Sequence, residues 1–384
     1  LRFITADRIF NGHSFLAEGS VLVLGERNCF SGFISNSEVT PDKIERFEGV
    51  ITPGFVNAHC HLELSHLKNK ILKHTGLPEF AKQVILLRQK CDSAIIAESQ
   101  READKEMWEN GIVAVGDISN GPDSFQQKSA SNIFYHTFIE LIGLNPDNAE
   151  FIFAKGVELH GKLKEYQLKG SFAPHAPYST SAPLIKKISE FDSGSGLPFS
   201  IHNQESVEET KFFQGEKSGF DELYKFLNLD LSWFVPPGGT SLQSYVSALS
   251  ISPSLLVHNT ITSPADLSMV TDKNIYWCFC PCANKFIENR LPDFEIFRKF
   301  DHKICLGTDS LASNAQLSLV EEANQVLTAT DTFSVENLLR AITFNPAEVL
   351  GLTNAFGHMI EGRNAGLNLM KVQNGHLKFI KKIV

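Results

Sequence analysis

The chain has 384 residues, long enough for one large hydrophobic core with a minor module beside it. Its 42% hydrophobic and 21% charged composition is that of an ordinary water-soluble protein. The net charge of −9 argues against nucleic acid or an anionic membrane as the principal partner, because both select a basic face.

Leu1-Arg2-Phe3-Ile4-Thr5-Ala6-Asp7 lacks the form of a secretory signal, and no apolar run is long enough to span a bilayer. A cytoplasmic location is the expectation. Residues 1–50 contain short β-like runs, such as Ser20-Val21-Leu22-Val23-Leu24, separated by Asn-Gly and Gly-Glu punctuation. The C-terminal residues do the same around a turn at Asn374-Gly375. Residues 1–50 plus 362–384 are therefore expected to form a small β-sandwich module, and residues 51–361 the main body.

The run from Gly49 to Ala58 reads as a buried strand entered through the Pro53-Gly54 turn, and it ends on His59-Cys60-His61. Successive strand side chains point to opposite faces, so His59 and His61 project the same way. Two imidazoles so placed can hold one transition-metal ion, or can simply be two half-exposed histidines.

Further strand-length apolar runs recur at 112–118, 133–142, 170–175, 198–202, 254–258, 275–280 and 303–308. Helix-length stretches lie between them, for example 79–110 and 314–329. With the run before His59 this makes eight strand-then-helix units, the pattern of an α/β chain folded as a (β/α)8 TIM barrel. A doubly wound open sheet is the structural alternative. The connection 206–252 is rich in Phe, Trp, Pro and Gly and reads either as a lid or pocket insertion or as a surface excursion.

Polar residues gather where these runs end: His59 and His61, His175, His202 with Glu205, His258, and Asp309. In a barrel all those ends face one mouth, so residues far apart in sequence converge. The seven cysteines are odd in number and lack small-scaffold spacing, which suits reduced thiols. Cys278-x-Cys280-x-Cys282 has no remote Cys/His pair to complete a zinc site, so packing and pocket shaping are the expected role.

The motifs Pro53-Gly54-Phe55-Val56-Asn57-Ala58-His59-Cys60-His61, His202-Asn203-Gln204-Glu205, His258, Cys280-Pro281-Cys282-Ala283-Asn284 and Gly307-Thr308-Asp309-Ser310 span nearly the whole chain. In this order they resemble the amidohydrolase superfamily. The likeness is to its mononuclear cytosine-deaminase-like branch, which includes the adenosine-type deaminases acting on S-adenosylhomocysteine and aminofutalosine.

That resemblance implies that His59, His61, His202 and Asp309 bind one divalent metal ion, with Zn expected first and Fe as the alternative. Three neutral imidazoles and a carboxylate suit such an ion, which lowers the pKa of a bound water toward ~7. Asp309 is also expected to take the water proton, and His258 to hydrogen-bond the attacking oxygen. Glu205, three residues past His202, is the expected proton shuttle. Deamination needs a proton on the ring nitrogen as hydroxide attacks the carbon, and the amine must leave protonated.

Binuclear relatives place a carboxylated lysine at the end of the fourth strand. Here that strand reads Ser171-Phe172-Ala173-Pro174-His175, so a single metal is expected. His175 would face substrate or orient a ligand, and Asn284 would line the pocket. In homocysteine-adenosine deaminases a glutamate after the first strand grips ribose hydroxyls. The corresponding stretch here, Leu86-Leu87-Arg88-Gln89-Lys90, has no acid. Arg88 would suit a substrate carboxylate, as in aminofutalosine, or would point to solvent.

The implied activity is hydrolytic deamination of an amino-substituted, nucleobase-like heterocycle, of aminopurine nucleoside type. Triazine dechlorination or cyclic amide hydrolysis is the alternative on the same scaffold, followed by a non-catalytic amidohydrolase-like protein. The implied partner is a small-molecule heterocycle, with a homodimer left open.

Overall fold

The protein is described by a computed structural model covering residues 1–88, 90–192, 195–249, 252–364 and 366–384. Four strands open the chain: β1 (Arg2–Ile9), β2 (Ser20–Leu24), β3 (Phe30–Ser35) and β4 (Ile44–Pro53). The barrel strands follow as β5 (Phe55–Cys60), β6 (Ile112–Ser119), β7 (Phe134–Leu141), β8 (Lys169–Pro174), β9 (Phe199–Asn203), β10 (Ser254–His258), β11 (Ile275–Phe279) and β12 (Ile304–Leu306). The chain closes with β13 (Leu367–Gln373) and β14 (His376–Lys382).

The terminal strands build one six-stranded sheet, ordered β14-β13-β4-β1-β2-β3. β1 and β4 run parallel in it, and the other pairs are antiparallel. The run leading to His59 is two strands, not one. Up to Pro53 it pairs with β13 in the terminal sheet, and from Phe55 it belongs to the barrel. The β-module thus reaches past residue 50 to Pro53.

The barrel strands form two parallel four-stranded sheets, β5-β6-β7-β8 and β12-β11-β10-β9. Two seams close them into a ring. At one, the His202 N–H donates to the His175 carbonyl at 2.9 Å. At the other, the Thr308 and Asp309 N–H groups share the His59 carbonyl at 3.0 and 3.2 Å. Inside, Val56, Ala58, Ala114, Phe138, Leu255 and Val257 share one buried cluster. Side chains of the alternate parity, such as Val115, Ile139 and Leu256, pack outward in the larger cluster between strands and helices.

Among the covering helices are α1 (Leu77–Arg88), α2 (Ser93–Glu109), α3 (Phe125–Ala130), α4 (Ala149–Glu165), α5 (Ala182–Asp192), α6 (Val207–Gln214) and α7 (Gly219–Phe226). The stretch 79–110 is broken because the Asp92 carboxylate accepts the Ala94 N–H at 2.7 Å and starts a new helix. Likewise 314–329 is helical only over Leu319–Ala329, after the Ser318 cap.

Within the 206–252 connection, the described residues from Ser206 to Phe226 build a structured cap. α6 and α7 start at Ser206 and Ser218, each of which accepts a backbone N–H through its side chain. Phe212, Phe213, Phe220, Leu223 and Tyr224 pack with Leu77, Tyr178 and Ile287 of the barrel rim. The Tyr224 hydroxyl donates to the Tyr178 carbonyl.

Candidate active site

β5 does not keep strict alternation to its end. Val56 and Ala58 face the barrel interior, but Cys60 packs in the outer cluster, and the β6 ladder slips between Asn57 and Cys60. The slip is a local bulge that turns His59 inward. Two contacts hold this turn. Asn57 Nδ2 donates to Thr308 Oγ1 at 2.8 Å, and the Leu62 N–H donates to Asp117 Oδ1 at 2.8 Å. Asp117 is itself fully buried against Lys128 Nζ at 2.5 Å.

His59, His61 and His202 meet through their Nε2 atoms. His61 Nε2 lies 3.1 Å from that of His59 and 3.3 Å from that of His202. Asp309 Oδ1 is 3.7 Å from His59 Nε2 and 3.5 Å from His61 Nε2. Burial, then the neighbouring His59 ring, holds His61 and His202 well below the usual imidazole range, so both are neutral. Burial would raise the Asp309 carboxyl, but the hydrogen bond from His59 counters it and brings the group below its ordinary value. Neutral imidazoles converging beside an ionised carboxylate form a donor set that fits one borderline divalent cation. Among the described residues three trios have ligand atoms within 4.8 Å of one another: His59–His61–Asp309, His59–His202–His258 and Glu140–His175–His202.

These side chains are held from behind. His202 Nδ1 donates to the His175 carbonyl at 2.8 Å, which fixes Nε2 toward the centre. Ser313 Oγ donates to Asp309 Oδ2 at 2.5 Å. Gly307 has no room for a side chain, since a Cβ there would sit 2.8 Å from the Cβ of His59. Val257 faces the interior, so plain alternation would turn His258 outward. His258 and Asn259 instead adopt left-handed backbone at φ +77° and +57°, and Asp309 does so at +53°. Non-glycine residues there cost roughly 1–3 kcal/mol each, a strain that collects at functional sites.

Glu205 is 3% exposed, with Oε1 3.7 Å from His258 Nε2. Burial, followed by the charges of Asp309, Glu288 and Glu209, pushes its carboxyl well above the ordinary range, which favours its acid form. His258 is displaced downward to about 4, chiefly by burial. Its Nδ1 meets Asn284 Oδ1 at 2.8 Å, which assigns the ring proton to Nδ1 and leaves Nε2 as an acceptor.

These groups floor a cavity of about 430 Å³. His61, His202, Glu205, His258 and Asp309 line one end, and Phe80, Val84, Ile142, Leu144, Leu227 and Leu229 supply much of the rest. A more voluminous open groove, about 790 Å³, lies between α5 and residues 244–249 and shares no residue with this cavity.

His175 lines the cavity with its ring and uses its carbonyl to hold His202. Arg88 also lines it, but its guanidinium is engaged within the chain. Nη2 lies 2.9 Å from Glu63 Oε1, and Nη1 donates to Asn120 Oδ1 at 3.0 Å. Asn284 differs from expectation. It is fully buried, does not line the cavity, and holds His258 and Thr260 with its amide. Cys282 leaves the Cys278/Cys280 alternation because the helix Pro281–Glu288 begins after Cys280. All seven cysteines are free.

Sequence reasoning passed over Glu140, Asn120, Asp117 and Ser313. The first of these was findable by the criterion that found the histidines, since it is a polar residue on the last turn of an apolar strand.

A family model described as the amidohydrolase family matches residues 50–383. The aminodeoxyfutalosine deaminase of a Nitratiruptor species is 26% identical over 340 residues, covering 85% of this chain and 80% of that protein. The crystal structure of Helicobacter pylori aminofutalosine deaminase in complex with methylthio-coformycin superposes with a TM-score of 0.83 at 22% identity, over 100% of both chains. An adenosine deaminase from Xanthomonas campestris with bound zinc gives a TM-score of 0.71 at 16% identity, over 97% of this chain and 85% of the other.

Proposed function

The chain belongs to the amidohydrolase family, and from that premise we propose that it removes ammonia hydrolytically from an amino-substituted, nucleobase-like heterocycle, of aminopurine nucleoside type. Relatives named as aminodeoxyfutalosine and adenosine deaminases support that substrate class. The observation that carries the reading is the buried Glu205 carboxyl at the cavity floor, 3.7 Å from His258 and beside the converging imidazoles.

His59, His61, His202 and Asp309 would hold one divalent ion, zinc before iron. When bound, such an ion polarises water and lowers its pKa toward ~7. Asp309, held ionised, is the acceptor for a proton of the attacking water. Glu205 gives its proton to the ring nitrogen as the oxygen adds to the carbon bearing the amine. His258, with a bare Nε2 fixed by Asn284, orients the adding oxygen by accepting its hydrogen. Collapse breaks the carbon–nitrogen bond as the added oxygen becomes a carbonyl; the Asp309 proton passes to the departing amine through Glu205, the hydroxyl proton of the added oxygen returns by way of His258 Nε2 to Glu205, and ammonia leaves. His175 faces the ring. Arg88 stands on the cavity wall, where a carboxylate-bearing substrate would compete with Glu63 for it.

The test is ammonia release by metal-replete protein across adenine, guanine, cytosine and pterin derivatives, including nucleosides that carry carboxylates. Ammonia from one group of these is expected. Ring-opened product, or no ammonia from any of them, overturns the reading.

A further inference from the structure

The turn that carries Glu205 is gripped from two sides. Gln204, just before it, is buried and takes left-handed backbone at φ +47°. A non-glycine residue in that region is strained and persists only where its surroundings hold it. On the β10 side, the Gln204 carbonyl accepts the Ile261 N–H at 3.0 Å, and Gln204 Oε1 accepts the Thr262 hydroxyl at 2.8 Å. On the cap side the grip is one buried carboxylate. Glu209 Oε2 accepts the Glu205 N–H at 3.0 Å, and Glu209 Oε1 accepts the Gln204 N–H at 3.3 Å.

Glu209 stands three residues past Ser206, the N-cap of α6. A glutamate in that position ordinarily reaches back to the N-cap N–H. Glu209 carries its grip further, to the residue that bears the acid and to the one before it. Two backbone donors need two acceptors, and an ionised carboxylate offers two oxygens and no donor. Glu209 is fully buried and does not line the cavity, so it touches no substrate. What it fixes is the backbone from which the Glu205 side chain leaves, and that side chain ends 3.7 Å from His258 Nε2.

We propose that Glu209 is the positioning residue of the Glu205 acid, its carboxylate holding the 204–205 turn in the shape that presents Glu205 to the ring nitrogen. The inference rests on the reading of Glu205 as the proton donor. Displacing a reacting group by about 1 Å can cost on the order of 10²-fold in rate, so a residue that never meets substrate can still govern turnover.

Turnover is measured as ammonia release by zinc-loaded protein, from the compound of the series above that the parent turns over fastest. Glu209→Ala should lower kcat by roughly 10- to 100-fold, with KM and zinc content little changed. Glu209→Gln keeps the shape and one acceptor, so it should recover part of the loss, and it decides the matter if the alanine variant does not fold. In a Glu205→Gln background neither change should lower kcat further, because the group they position is already gone. A residue that merely supports the fold would lower kcat by the same factor in both backgrounds, and that result overturns the proposal. So does full activity in both Glu209 variants, or a loss that falls on KM or on zinc content instead.

Glu205→Gln alone separates the two ideas. If it is as active as the parent, or if the parent releases no ammonia at all, the reading of the acid falls and this inference with it. If it is impaired while the two changes multiply, only this inference falls.

Discussion

Between Glu205 and His258 the acid and the acceptor are set apart. His258, held down to about 4, offers a lone pair at Nε2, while burial pushes the Glu205 carboxyl well above the ordinary range. A glutamine at 205 keeps the volume but removes the acid. Glu205→Gln should therefore retain its metal and lose turnover by roughly 10²- to 10⁴-fold, read as kcat beside metal content. Normal activity in that variant would remove Glu205 from the chemistry. Asn284 acts one step back. Asn284→Ala frees the His258 ring and should lower kcat by roughly 10- to 100-fold with KM little changed, on the scale known for residues that orient a working histidine. Asn284→Asp, which keeps an acceptor oxygen, should recover most of the loss, and absence of that recovery would mean that ring orientation is not the cause.

The converging histidines were legible because strand-end histidines recur in a pattern that chance rarely makes. Asn284 was misread because it lies past the strand end, on the buried face of the helix Pro281–Glu288. Only the fold shows that its amide closes on His258 rather than on the cavity.

At the scale of elements, each apolar run after the first became a barrel strand, with ends shifted by a residue or two, while the first was divided between the terminal sheet and the barrel. What periodicity could not give was the slip in β5. It depends on how β5 pairs with β6, and it alone turns His59 to the interior side. The helix Leu319–Ala329 carries a similar hidden function. Its Glu322 accepts the Cys282 N–H at 2.9 Å and Asn314 Nδ2 at 2.7 Å, and Asn314 Nδ2 also reaches the Thr308 carbonyl at 3.0 Å. Glu322 thus pins the loop that bears Asp309.

Burial raises the Glu322 carboxyl to about 8 from an ordinary 4.5. Between those values the folded chain binds a proton that the unfolded chain has lost, so the stability contributed by this group falls as pH rises through the window. Glu322→Gln mimics the protonated form at every pH. Whatever its offset at pH 4.5, its thermal midpoint should gain on that of the parent up to about pH 8 and then level off. A pH-independent offset would show that Glu322 does not titrate in this way.

Across the whole molecule, the barrel is two half-rings, and the proposed ligands are divided between them. His59 and His61 belong to the half β5–β8, while His202 and Asp309 belong to β9–β12 and its following loop. Both seams are bridged by the backbone of site residues or their immediate neighbours: His175 with His202, and His59 with Thr308 and Asp309. A bound ion would therefore tie the halves together. Chelation should lower the thermal midpoint, by the equivalent of about 4 kcal/mol if the free ion had been at a thousand times its Kd, and should speed amide exchange at the His202 and Thr308 N–H groups. Unchanged exchange at both seams would show that the ion does not bridge them. The sequence could suggest the ring but not its division, because hydrogen-bond continuity between neighbouring strands is set in three dimensions.

That division also gives the site a history within each newly made chain. The half that is synthesised first emerges with only two of the four ligands, and the last one arrives at residue 309, after most of the protein has left the ribosome. Until the second half closes on the first, only the His59–His61 pair of the four proposed ligands stands in place. Were those four to hold an ion, its full coordination would exist only after ring closure, so closure and metal loading would be one event.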